Sequence, residues 1–158
     1  MALDAPLGPC APPFTPAGEA AMPMIETHRA VAFPWLCDQM GHLTTFRYVE
    51  MFDVASYHLM HALGDRPAGQ NAELGWADVN HTIDYKAEVA IGALLLIRSG
   101  VVRTGRSSIV TRHVMTDPDA TIEHAILTAT TVRFDLVARK SAPLPEAILA
   151  GCEALTIA

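Results

Sequence analysis

The sequence predicts an α+β fold in which a curved antiparallel sheet of five strands wraps around one long central helix. Three observations lead there. An apolar stripe at helical spacing runs from Phe46 to Leu63. Strand-like segments separated by turn residues fill the chain beyond it. One further extended segment precedes the helix. Short connections make neighbouring strands antiparallel, and the single long helix is the available cover for the sheet's apolar face.

The elements follow in order. Residues 1–24 hold six prolines (Pro6, Pro9, Pro12, Pro13, Pro16 and Pro23) among Ala and Gly. That composition sustains neither helix nor ladder, so the segment reads as a flexible arm ahead of one domain over 25–158. Ile25 to Leu36 has extended character, with Val31, Phe33 and Trp35, and Pro34 implies an edge strand or an irregular exit. Thr44 or Thr45 caps a helix running to about Leu63. Its apolar stripe is Phe46, Val49, Phe52, Ala55, Leu59 and Leu63, and Gly64 is the stop. Asp65 to Asn71 is a loop. The strands are then Trp76 to Val89, Ala93 to Arg103, Ser107 to Thr116 and Thr121 to Arg139. Thr104-Gly105-Arg106 and Asp117-Pro118-Asp119 are the turns between the last three. Pro143 and Pro145 end the last strand, and Glu146 to Leu155 is a short terminal helix.

Composition narrows the function. The chain has 158 residues, 51% apolar and 18% charged, enough for a sizeable core. Its net charge of −6 argues against non-specific nucleic-acid binding, which needs a basic field. An anionic small ligand stays open, because local arginines can hold one on an acidic protein. Cys10, Cys37 and Cys152 have no metal or disulfide spacing, which suggests a reducing compartment. The start lacks the pattern of a signal peptide, and the apolar run Ala87 to Ile97 is interrupted by Glu88 and too short for a membrane span. A cytoplasmic protein without membrane or nucleic-acid partners is the expectation.

The chemistry concentrates in Cys37 to Tyr48. Asp38 lies just before the helix start, a potential general base or nucleophile beside N–H groups able to polarise a carbonyl. The plainer alternative is an acidic residue that only stabilises helix entry. As a base it would gain from burial beside Trp35 and Met40, which would raise its pKa. Gly41 suits a positive φ or a close approach. His42 either orients a substrate or hydrogen-bonds Asp38, with packing against another subunit as the alternative. Glu50 and Asp53 on the helix are rival carboxylates, although Arg47 and Glu50 also suit a plain ion pair. His58 and His61 have no third ligand nearby and read as surface residues rather than a metal pair. His81 reads as packing. Arg98, Arg103, Arg106 and Arg112, with Ser107 and Ser108, gather around one hairpin, as anion ligands or as a solvated strand face.

Residues 25–140 resemble the hotdog-fold acyl-CoA thioesterases of the 4-hydroxybenzoyl-CoA thioesterase-like group. The core of the likeness is Asp38, Gly41 and His42, an Asp-x-x-Gly-His arrangement, followed by the helix segment Tyr48 to Ser56. A second match is His81 to Lys86 leading to Ala90-Ile91-Gly92. The resemblance implies a hotdog fold and hydrolysis of an acyl-CoA to free acid and CoA. It implies Asp38 as the catalytic carboxylate and the main-chain N–H at Thr45 as the group polarising the thioester carbonyl. Where the family usually carries Asn-Asn, this chain has Thr44-Thr45, a departure that keeps the main-chain donor and puts a side-chain role at that position in doubt. The resemblance also points to Arg103, Arg106 and Ser108 as ligands of the CoA phosphates, with Gly41 at the substrate, and to no cofactor beyond the CoA of the substrate.

A hotdog monomer leaves a sheet edge open, so a homodimer is expected, alone or paired into a homotetramer, with both subunits at each site. Two other functions compete: a hydratase or dehydratase on the same fold, and a non-catalytic acyl-CoA binding protein. The acyl group is unread. Trp35, Phe46, Met51 and Trp76 are candidate lining residues for its pocket.

Overall fold

The computed structural model describes residues 24–66 and 73–157. All but Met24 of the arm expected over residues 1–24, and most of the loop after Asp65, therefore lie outside the described residues. Strand β1 (Ile25–Val31) leads through a 3₁₀ turn (Pro34–Leu36) to helix α1 (Thr45–Ala62). Strands β2 (Leu74–Tyr85), β3 (Leu94–Thr104), β4 (Ser108–Thr116), β5 (Glu123–Asp135) and β6 (Lys140–Ser141) follow, then helix α2 (Glu146–Ala154). The sheet order is β1-β3-β4-β5-β2, with the two-residue β6 beside β5 and every pairing antiparallel. One sheet around one long helix is the hotdog arrangement expected.

Among the strands that follow α1, pairing between sequence neighbours fails at one place. β2 pairs with β5, not with the β3 that follows it. The connection from Lys86 to Ala93 instead crosses the sheet end beside the start of α1, burying Val89 and bridging Ala90 to His42. The first strand is also shorter than expected, because Pro34 opens the 3₁₀ turn. The last run breaks at a turn after Asp135, where Arg139 adopts φ 53°, and returns as β6.

The rotation of α1 differs from the expected stripe. Phe52, Ala55, Leu59 and Leu63 are buried as predicted, but Phe46 and Val49 are 60% and 41% exposed. Tyr48 and Met51 take the inward positions. Each three-residue step falls about 60° short of a full turn, so two such steps carry Phe46 about 120° away from Phe52. The buried face packs against Leu95, Ile97, Met115, Leu127 and Ala129 of the sheet. Each fully buried side chain of this size contributes about 1.5–3 kcal/mol.

A second core cluster closes the other end of the sheet. Leu59 and Leu63 meet Val101 and Ile109, with Leu144, Ile148 and Cys152 from the C-terminal segment. Helix α2 lies so close to the end of α1 that a Cβ at Gly151 would collide with the Leu63 carbonyl group. Between the two clusters sits a buried polar chain. Ser99 Oγ lies 2.7 Å from His113 Nδ1, and Thr111 Oγ1 lies 3.0 Å from Nε2. Thr27 Oγ1 extends the chain, 2.6 Å from Ser99 Oγ. Burial lowers the His113 pKa to about 4.

Two outcomes follow for stability. Gly151→Ala forces backbone against backbone and is expected to cost about 1–3 kcal/mol, read as a lower urea midpoint. His113, depressed in the folded state, binds its proton more readily in the unfolded chain. Its contribution is therefore complete above about pH 6.5, lost as pH falls toward 4, and on the order of 3 kcal/mol in all. His28, whose pKa burial also lowers, acts in the same direction. Urea midpoints between pH 7 and 4 test this, in a window above the one where the depressed carboxylates protonate.

Candidate active site

The loop from Leu36 to Thr44 is tied at both ends. Thr44 N–H and Thr44 Oγ1 both donate to the Leu36 carbonyl, at 3.1 and 3.0 Å. Thr44 is thus the N-cap residue of α1 by position, but its hydroxyl serves the loop rather than the helix. Asp38 N–H donates to the His42 carbonyl at 2.8 Å. Gly41 closes the turn at φ +82°, the left-handed conformation expected of it. Leu43 N–H donates to the Val89 carbonyl and Ile91 N–H to the Gly41 carbonyl, which fastens this loop to the β2–β3 connection.

This scaffold fixes the Asp38 carboxylate. Oδ1 accepts from Met40 N–H at 2.8 Å and from His42 N–H at 3.1 Å. The His42 bond is the largest of the influences that hold the Asp38 pKa below the ordinary carboxylate range. The net direction is the reverse of that expected: burial does push the pKa up, but the main-chain hydrogen bonds outweigh it, and Trp35 and Met40 are each 71% exposed. Asp38 is thus ionised at neutral pH, with Oδ2 making no hydrogen bond to any described residue.

Thr45 is the first residue of α1, so its N–H has no partner within the helix. It makes no other hydrogen bond among the described residues. Asp38, His42 and Thr45 line one pocket of about 300 Å³, together with Tyr48, Tyr85, Lys86 and Glu88. The residue with the ionised carboxylate and the residue that opens the helix with an unpaired main-chain donor thus line one cavity. That pairing suits attack on a carbonyl whose oxygen becomes negative.

The His42 side chain does not bond Asp38. Its Nε2 lies 3.3 Å from Glu88 Oε2, and only its main chain reaches Asp38. Tyr48 packs edge-on against Tyr85, centroids 5.2 Å apart. The sequence flagged Tyr85 and Lys86 only as part of a motif, and missed Tyr48 and Glu88 as lining residues. The available signal for Glu88 was its charge in the middle of an apolar run.

The other expected residues are spread more widely. Arg47 and Glu50 form the predicted helix ion pair, at 2.7 Å. Asp53 lines a smaller cavity with Tyr57, Trp76 and Asp78, away from Asp38. Met51 is in the core, while Trp35 and Phe46 are exposed, so these four candidate acyl-lining residues share no single pocket. His58 and His61 are exposed, as is His81, which sits 3.5 Å from Asp78.

Around the β3–β4 hairpin, Arg106 and Ser107 line a pocket of about 350 Å³ with Lys140 and Ser141. Arg103 and Ser108 flank the turn without lining that pocket. The hairpin is at the far end of the eleven-residue β3 from the Asp38 loop, roughly 35 Å away within one chain. A larger cavity, about 640 Å³, lies across β1 and β3 near Arg29 and Arg98 and does not include Asp38.

Comparison with known proteins identifies the family and the fold. Residues 31–151 match the family described as the thioesterase-like superfamily. No curated protein matches. Among solved structures, a 1,4-dihydroxy-2-naphthoyl-CoA thioesterase from Synechocystis superposes with a TM-score of 0.71 at 16% identity, covering 79% of this chain and 93% of its own. A Staphylococcus aureus protein solved in complex with CoA gives 0.73 at 14% identity, covering 89% and 91%. A Pseudomonas aeruginosa protein gives 0.71 at 20% identity, covering 85% and 98%. At these identities the structures speak for the fold, and the family match speaks for membership. The chain belongs to the thioesterase-like superfamily, a hotdog-fold member placed among the thioester hydrolases.

Proposed function

We propose that this chain hydrolyses an acyl-CoA thioester to free acid and CoA, with Asp38 as general base or nucleophile and Thr45 N–H holding the carbonyl oxygen. The observation that carries the reading is the free N–H of Thr45 in the same pocket as an ionised Asp38. His42 lines that pocket beside them, and Gly41 gives the loop the turn that brings it there. A thioester suits the site because its carbonyl gains negative charge on attack and its thiolate leaves readily. The family match and the CoA bound to one structural neighbour support the substrate class.

The reading includes a homodimer, paired or not into a tetramer. β2 is a twelve-residue edge strand with most of its side chains exposed. Antiparallel pairing of two β2 strands about a two-fold axis sets the Tyr85 end of one beside the Leu74 end of the other. The Leu74 end carries the hairpin and β6, since Arg133 N–H donates to the Ser107 carbonyl and Phe134 pairs with Ser141. One subunit's Arg106 and Lys140 would then lie toward its partner's Asp38, which answers the separation of phosphate ligands and carboxylate within one chain. Arg103 and Ser108 belong to the same anionic subsite in this reading. No helix among the described residues is long and apolar enough to cross a membrane. Cys37 and Cys152 are free thiols, in keeping with a reducing cytoplasm.

Free-thiol release from short, medium, long and aromatic acyl-CoAs tests the function. Asp38→Asn keeps an acceptor for the two loop N–H groups and is expected to fold, yet to lose about 10³-fold or more in kcat. Thiol release at the wild-type rate by this variant contradicts the assignment. CoA binding without turnover by the wild type indicates a binding protein, and hydration without thiol release a hydratase. Thr45 separates main chain from side chain. Thr45→Ala is expected to change little. Thr45→Pro deletes the N–H at a helix position that tolerates proline, after a Thr44 already extended at ψ 144°. It is expected to lose about 10²–10³-fold in kcat with the fold intact by circular dichroism.

A further inference from the structure

We propose that Glu88 positions the His42 imidazole to activate the water that completes hydrolysis, leaving Asp38 as the nucleophile. The inference deepens the thioesterase reading and rests on it. His42 Nε2 and Glu88 Oε2 are 3.3 Å apart at the rim of the Asp38 pocket. These are not two independent surface side chains. Their backbones are fastened by the Leu43–Val89 and Ile91–Gly41 hydrogen bonds and by the bridge from His42 to Ala90. A carboxylate facing Nε2 favours the tautomer with the proton there and leaves Nδ1 as the acceptor. Nδ1 makes no hydrogen bond to any described residue. The arrangement is a base whose second nitrogen is oriented by an acid.

The charged and titratable groups around His42 are few. Asp38 comes from its own loop, Tyr48 from α1, and Tyr85, Lys86 and Glu88 from the end of β2 and its exit. Burial raises the Tyr48 pKa, which keeps the phenol protonated. Asp38 is a weak proton acceptor, because two main-chain N–H groups already stabilise its charge. His42 is the better placed base.

The steps balance. Asp38 Oδ2 bonds to the thioester carbonyl carbon, and the C–S electron pair leaves on sulfur as thiolate. Water attacks the acyl carbon of the resulting anhydride, His42 Nδ1 takes its proton, and Asp38 departs as carboxylate. The proton passes from His42 to the thiolate, so one thioester and one water give one acid and one thiol. Glu88 touches no reacting atom. It acts through His42.

Pre-steady-state thiol release on the full chain tests this. Glu88→Ala is expected to lower kcat about tenfold with kcat/KM little changed, and His42→Gln to lower kcat about 10²-fold or more. Both variants should show a burst near one thiol per site, because acylation outruns deacylation, with an acyl adduct on Asp38 by intact mass. Glu88→Ala added to His42→Gln should change nothing further. Glu88→Gln, which keeps an acceptor, should recover most of the rate. A wild type active on acyl-CoA alongside a Glu88→Ala variant of equal kcat overturns this inference alone, as does a slower variant without a burst or with additive effects. A wild type inactive across the acyl-CoA panel overturns the thioesterase reading and this inference with it.

Discussion

The rotation of α1 about its own axis is the constraint on which the site depends. Six side chains, Tyr48, Met51, Phe52, Ala55, Leu59 and Leu63, are held against the sheet at exposures of 6% or less. Their burial fixes which way every residue of the helix points. It also fixes where the helix begins, because the loop before it is tied to Leu36 and to Val89. The first N–H of the helix is thereby held at the mouth of a pocket, with no carbonyl of its own to satisfy it. A helix free to turn by one residue would carry that donor away from Asp38.

Asp38 shows how the same bonds serve structure and chemistry. Its Oδ1 closes the loop by accepting from Met40 and His42, and this keeps the carboxylate charged. The second oxygen is left for the pocket. A more deeply buried Asp38 would be a stronger base but also a protonated one at neutral pH, and it would satisfy the loop less well. The site therefore suits a carboxylate that attacks or stabilises as an anion. In the proposed reaction, proton transfer then falls to His42.

Much of this was legible in the sequence, for identifiable reasons. The Phe52–Ala55–Leu59–Leu63 stripe, the glycines at 41 and 64 and the turn at Gly105 carry local signals strong enough to place their elements. The Asp38-Gly41-His42 spacing placed the loop. The β2–β5 pairing was not legible, because non-local register leaves no mark on neighbouring residues. The true N-terminal continuation of the helix face was misread because Phe46 and Val49 match the three-residue step while drifting around the cylinder. The environment of Asp38 was misread because apolar neighbours in sequence, Trp35 and Met40, point to solvent. Glu88 was passed over as an interruption in an apolar run, although it approaches His42 across a gap of 45 positions in the chain.

A crystal structure with a non-hydrolysable acyl-CoA analogue, its thioester replaced by a methylene ketone, tests the central claim most directly. The account predicts the ketone oxygen about 3 Å from Thr45 N, with Asp38 Oδ2 facing the carbonyl carbon. An acyl group seated in the cavity across β1 and β3, or a ketone oxygen turned away from the start of α1, would contradict it.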